Sequence, residues 1–234
     1  MNNHDFITLS VADGTEMDAY IALPDEERSY PGIILLQEAY GVNHHLRNVA
    51  GRLCNEGYAV IAPDLFHRTG KRLEFAYTNF SATMPHLQAL TKEGLTHDVQ
   101  AAYNWLQQHP TIIHEKTGSI GFCMGGRVSF IANATLPLAA AVSYYGGGLD
   151  ALVNEARNLH GTHLFFWGGK DTHIPQERID IIVNAVKLAG KDYINTVFSY
   201  ADHGFNCDER PAYHPLAAKE AWAMTLTFFA NRLK

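Results

Sequence analysis

A chain of 234 residues, 47% of them hydrophobic and 18% charged, can bury a sizeable core and fits a single domain spanning 1–234. Its net charge of -6, from 24 acidic against 18 basic residues, argues against nucleic acid as a partner, because the basic residues cluster only at Arg68, Lys71 and Arg72. The longest apolar runs are strand-sized, so no membrane span is expected. Cys54, Cys123 and Cys207 are an odd number without framework spacing, and Met1 to Asp5 have neither the basic start nor the apolar stretch of a secretory signal. A reduced, cytoplasmic monomer is the expectation.

Along the chain, Phe6–Ser10 and Met17–Leu23 alternate in polarity around Asp13-Gly14, which predicts an opening hairpin. From Gly32 the pattern changes. Gly32–Leu36, Tyr58–Ala62, Gly118–Phe122, Ala139–Ser143, His163–Trp167 and Thr196–Tyr200 are short apolar runs suited to a parallel sheet covered on both faces. Helical periodicity separates them: Leu46 to Cys54, Val99 to Leu106, Arg127 to Ala132, Ile179 to Leu188 after Pro175, and Pro215 to Phe229. The alternation predicts a doubly wound α/β fold with functional loops at the carboxyl ends of the strands. Residues from about Phe66 to Leu95 break it and are expected to form an excursion over the sheet edge near the site.

Gly121-Phe122-Cys123-Met124-Gly125 has the pattern of a nucleophile elbow, where glycines let a strand turn sharply into a helix and leave the central side chain exposed. Cys123 would stand at a helix N-terminus, where amides and dipole favour a thiolate and an adjacent oxyanion. The competing reading is a structural cysteine packed between two glycines. A nucleophile needs a base, and the base needs an orienting group. Asp171 and His203 each follow a strand, and the order nucleophile, acid, His is that of α/β-hydrolases. Taken singly, Asp171 could be a turn residue and His203 a loop histidine. Gln37-Glu38-Ala39-Tyr40-Gly41 follows the strand that supplies the second oxyanion donor in such folds, which makes the amides of Ala39 and Met124 the candidate pair. Glu38, if close to the thiol, would oppose its ionisation by like-charge repulsion unless His203 compensates.

Gln37 to Asn43, Ala62-Pro63-Asp64-Leu65, Gly121 to Gly126, Tyr144-Tyr145-Gly146 and Asp202 to Phe205 together resemble the dienelactone hydrolase (carboxymethylenebutenolidase) family, from about Phe6 to the C-terminal helix. The resemblance implies an α/β-hydrolase fold and a Cys123, His203, Asp171 triad acting on a small ester or lactone. It also implies that Glu38 interacts with the resting thiol and swings away when substrate binds. Members that cleave dienelactone carry a Tyr at Tyr77 but arginines where Leu73 and Cys207 stand here. Those arginines grip a substrate carboxylate. Arg72 and Arg210 lie nearby in sequence as substitutes, and the departures predict that neutral substrates are turned over at least as well as carboxylated ones.

Tyr40, Tyr77, Tyr145 and Phe205 flank motif residues and are candidates either for the pocket wall or for plain packing. His44-His45, His160, His163 and His214 lack metal-ligand spacing on one helix face and are expected to be surface or capping residues, so no metal and no cofactor is implied. Cys54 falls on an apolar helical stripe and is expected in the core, while Cys207 could be a pocket residue or an oxidisable loop thiol. Beside ester hydrolysis stand a thioesterase or acyltransferase on the same site, and a non-catalytic ligand-binding or redox-sensing module.

Overall fold

The computed structural model of the chain describes residues 3–25 and 28–234; Met1 and Asn2, part of the terminus discussed above, lie outside the described residues. Eight strands, β1 (Asn3–Ser10), β2 (Glu16–Leu23), β3 (Tyr30–Leu36), β4 (Ala59–Pro63), β5 (Ile112–Phe122), β6 (Ala140–Tyr144), β7 (Thr162–Gly168) and β8 (Tyr193–Phe198), form one sheet in the order β1-β2-β4-β3-β5-β6-β7-β8. The helices are α1 (His44–Asn55), α2 (Phe80–Ala89), α3 (Lys92–Gln108), α4 (Met124–Thr135), α5 (Gln176–Leu188) and α6 (Pro215–Leu233). This is the mostly parallel α/β-hydrolase arrangement the sequence predicts. The chain divides into two compact units, 1–118 and 119–234. No helix among the described residues is long and apolar enough to cross a membrane.

In the first unit the hairpin is antiparallel, with Ser10 opposite Glu16. Gly14 turns it at φ 86°, where a side chain would be strained. β2 runs antiparallel to β4, and β4 parallel to β3. Every residue of β3 and β4 is buried, which is why both read as unbroken apolar runs. Asn43 caps α1 by accepting a hydrogen bond from the Leu46 amide at 3.1 Å, and the Leu46 to Cys54 stripe is buried as expected. Burial pushes the Cys54 thiol up to about 11, the behaviour of a core cysteine.

The excursion packs on the loop after β3: Phe75 N–H donates to the Tyr40 carbonyl at 3.2 Å, and a Cβ on Gly41 would lie 1.8 Å from the Leu73 carbonyl oxygen. It contains α2, which the periodicity does not reveal, because Pro85 interrupts its interior and only Thr83 is buried. The basic cluster is consumed by ion pairs. Arg68 bonds the fully buried Asp98 through both terminal nitrogens, at 2.9 and 2.8 Å, and also reaches Asp13, while Lys71 and Arg72 both meet Asp18.

In the second unit β6, β7 and β8 are parallel. Beneath them His163 is wholly buried between Ser143 Oγ at 2.8 Å and Asn133 Nδ2 at 3.2 Å, and desolvation lowers its pKa to about 3. His163 therefore corrects the expectation of a surface or capping role: a neutral imidazole with a hydrogen-bond partner on each ring nitrogen satisfies a core position. His45 is likewise buried, on α1, whereas His214 does cap α6. β8 starts three residues earlier than Thr196, since this edge strand buries only Phe198 and its apolar content is misleading. Leu188, placed on the α5 stripe by periodicity, is 88% exposed at the helix end. A 3-10 helix, Leu149–Asn158, follows β6 and was not anticipated.

Candidate active site

β5 ends at Phe122, and α4 begins at Met124. Between them Cys123 sits at φ 53° and ψ -115°, a conformation that costs a non-glycine residue about 1–3 kcal/mol unless the surroundings hold it. Two things hold it here. Its N–H donates to the Tyr144 carbonyl at 3.0 Å, and its own carbonyl accepts from the Gly126 amide at 3.0 Å. A Cβ on Gly121 would lie 1.9 Å from the Gly125 oxygen, and one on Gly126 2.8 Å from the Tyr144 oxygen, so side chains there would collide with main chain. The thiol is partly exposed, unlike Cys54 and Cys207. This is an elbow geometry rather than a packed cysteine.

Asp171 lies in the turn after β7 and His203 in the loop after β8. His203 Nδ1 and Asp171 Oδ2 are 2.7 Å apart, and the other carboxylate oxygen accepts from the backbone amides of His173 at 2.8 Å and Ile174 at 3.2 Å. Burial alone would raise the Asp171 pKa, but the His203 bond and charge and the two amides win, and the carboxyl is held below its ordinary value. For His203, burial favours the neutral ring. Hydrogen bonds with Asp171 and Cys123, and the charges of both, outweigh it and push the imidazolium up to about 10. The Asp171 carboxylate is thus bonded to the His203 ring, and the Cys123 thiol acts on that ring from the elbow.

Tyr145 packs its ring 5.1 Å from that of His203 and 5.2 Å from that of Phe205, and both aromatics are fully buried. Tyr145 holds φ 39° and donates its N–H to the Phe166 carbonyl at 2.7 Å, fixing the strand end that receives the Cys123 amide. The Tyr40 and Tyr77 rings meet at 4.5 Å, tilted by 59°, in the first unit, and Asn43 Nδ2 donates to the Tyr77 hydroxyl at 2.9 Å. Glu38 and Ala39 are buried in the loop after β3. Arg72 is turned to Asp18 and covers the Phe6 ring at 4.3 Å. The Arg210 guanidinium lies against the backbone of Gly204, the residue after His203. Cys207 is buried. His173, missed in the sequence, stands with its ring edge-on to His203 at 5.8 Å; its place two residues after the acid in the same turn was the available signal.

The family model described as "Dienelactone hydrolase family" matches residues 17–233. The chain belongs to the dienelactone hydrolase family. It is 34% identical over 233 residues to a protein of Yersinia pestis named "Putative carboxymethylenebutenolidase", covering 93% of this chain and 85% of that one. A Synechocystis protein of the same name is 32% identical, covering 94% and 93%. The crystal structure of a Klebsiella pneumoniae protein described as a "Putative Dienelactone Hydrolase" superposes with a TM-score of 0.88 at 29% identity, covering 98% of this chain and 99% of that one. This places the chain in a family of hydrolases and accounts for the strand order.

Proposed function

We propose that the chain hydrolyses a small ester or lactone as a single functional domain, with Cys123 as nucleophile, His203 as base and then acid, and Asp171 as the group that orients the imidazole. The observation that carries this reading is the 2.7 Å bond between Asp171 and His203, with the Cys123 thiol acting on the same ring from a strained strand-to-helix elbow. In the first half, Cys123 sulfur bonds to the substrate carbonyl carbon, His203 holds the thiol proton, and the carbonyl electrons move onto oxygen. When they return, the carbon–oxygen ester bond breaks, and the leaving alkoxide takes the proton from His203. In the second half water attacks the acyl-cysteine, His203 takes its proton, and the thiol is restored as the acid leaves.

The developing oxyanion needs donors already in place. Met124 is the first residue of α4, so its N–H has no partner within the helix, and its amide is the first donor in this reading. The Ala39 amide is the second, on the strength of its place after β3. Glu38 is the restraint on the resting thiol that the family resemblance implies, and its test is alkylation. Glu38→Gln should change the pH profile of Cys123 alkylation, and superimposable profiles would remove Glu38 from the mechanism. The reading as a whole is tested with 4-nitrophenyl acetate: a pre-steady-state burst, a +42 Da acetyl adduct on the peptide containing Cys123, and loss of both in Cys123→Ala. Turnover that persists in that variant would overturn it.

A further inference from the structure

We propose that Ser143, His163 and Asn133 are positioning residues for the nucleophile, a buried one-way chain of hydrogen bonds that grips the Gly126 carbonyl in the first turn of α4 and so keeps Cys123 where it can attack. The proposal rests on the reading of Cys123 as nucleophile and adds to it what holds the thiol in place. The three side chains come from β6, β7 and α4, and none has exposed surface.

The two ends of the chain fix every proton in it. At one end Ser143 Oγ is 2.6 Å from the Gly126 carbonyl, which can only accept, so the hydroxyl donates there. Its hydrogen is then spent, and the 2.8 Å contact with His163 Nε2 requires an N–H on that ring nitrogen. At the other end the Gly161 N–H donates to Asn133 Oδ1 at 2.9 Å, and Asn133 Nδ2 donates to the Gly161 carbonyl at 2.9 Å, which orients the amide. The second hydrogen of Nδ2 meets His163 Nδ1 at 3.2 Å, and a neutral ring with its proton on Nε2 is the form that accepts it. Both ends demand the same tautomer. Phe165 stacks on the ring at 4.2 Å and Phe130 lies at 5.4 Å, while burial keeps it neutral, with a pKa of about 3. The residue types are those of a hydrolytic triad, but here the hydroxyl proton points to Gly126 and not to the imidazole, so Ser143 is not itself set up to attack.

The chain ends on the elbow. Gly126 donates its own N–H to the Cys123 carbonyl at 3.0 Å, and Tyr144, next to Ser143 in β6, accepts the Cys123 N–H at 3.0 Å. Two successive residues of one strand therefore hold both sides of the turn: Tyr144 by main chain at Cys123, Ser143 by side chain at Gly126. The fit between strand and helix is close, since a Cβ on Gly126 would lie 2.8 Å from the Tyr144 oxygen. A tilt of the Gly126 peptide is accordingly passed to Cys123 and to the Met124 amide that lies between them. Without the hydroxyl, the Gly126 carbonyl loses its tie to β6, and the strained φ of 53° at Cys123 has one support fewer.

The experiment follows the burst with 4-nitrophenyl acetate: its amplitude counts competent sites, its maximal rate gives acylation, and its half-saturation gives substrate binding. Ser143→Ala should slow acylation per competent site by about 10- to 10²-fold, the scale of a slightly misplaced reacting group, with half-saturation unchanged. Ser143→Thr keeps the hydroxyl and should recover most of the rate. His163→Gln can present an amide N–H to Ser143 and should stay near the wild type, whereas His163→Leu should fall with Ser143→Ala; this pair decides the matter if a Ser143 variant does not fold. Alkylation of Cys123 by iodoacetamide, measured on its own peptide, should slow in the same variants. A network that only stabilises the fold gives a different result: fewer competent sites, each acylating and alkylating at the wild-type rate, and no rescue by Ser143→Thr. That result overturns the proposal. Ester hydrolysis that survives Cys123→Ala would defeat the nucleophile reading alone, because the alkylation comparison needs no turnover and still reports whether the network places the thiol.

Discussion

Asp171 offers one carboxylate oxygen to His203 Nδ1, at 2.7 Å, and commits the other to two backbone amides of its own turn. The acid is thereby fixed by main chain before it orients anything. Asp171→Asn should keep the amide bonds, but its second atom can be presented to His203 as either an oxygen or an NH2. The wrong ring tautomer is then accessible, and kcat should fall by about 10³-fold or more. His203→Ala removes the proton carrier itself and should fall at least as far. Steady-state ester hydrolysis decides; near-wild-type turnover in His203→Ala would take it out of the mechanism.

Cys123 holds φ 53°, so glycine should be tolerated there better than its usual cost of about 0.5–1 kcal/mol against alanine allows. Cys123→Gly is expected to melt at or above Cys123→Ala, with neither variant active. A Cys123→Gly protein clearly less stable than Cys123→Ala would show that the elbow is not strained at this residue.

Gly121 has no room for a methyl group, because the Gly125 carbonyl would be 1.9 Å away and neither strand end nor helix start can give. Gly121→Ala should lose at least about 1–3 kcal/mol, and activity with it. Chemical denaturation of that variant beside Gly147→Ala, where the space is open, supplies the control.

His163 binds no proton until about pH 3 in the folded chain, whereas its unfolded value is 6.5. Between those values the unfolded state holds the extra proton, so stability from this residue is present above pH 6.5 and falls as the pH drops toward 3. One proton corresponds to a slope of about 1.4 kcal/mol per pH unit. Denaturation midpoints from pH 7 to 4 should show that slope reduced in His163→Gln; an unchanged slope would mean that other groups govern the acid limb.

His203 contributes with the opposite sign. Its folded pKa is raised to about 10 from 6.5, so its contribution is complete below pH 6.5 and is lost as the pH rises through 10. Stability measured from pH 7 to 10.5 should decline in the wild type and decline less in His203→Gln.

The strands were legible wherever burial on both faces makes an unbroken apolar run, as in β3 and β4, and illegible where it does not. β5 begins at Ile112, six residues before the apolar run at Gly118, because His114 and Glu115 face solvent. β8 buries only its last residue, Phe198, and α2 has neither a buried stripe nor an unbroken interior. The pairing of Asp171 with His203 was legible because each stands directly after a strand. His163 was hidden, because nothing in a strand's pattern says that Ser143 and Asn133 wait on either side of it.

The elbow has one more consequence. Its nearest supports are peptide: the Tyr144 carbonyl, the Gly126 amide, the bare backbone at Gly121. The Cys123 side chain is thus an interchangeable part, mounted on a frame that takes no notice of its identity. Cys123→Ser should fold as the parent does, and whether it still turns over ester would measure how far the surrounding charges have been adjusted to sulfur rather than to oxygen.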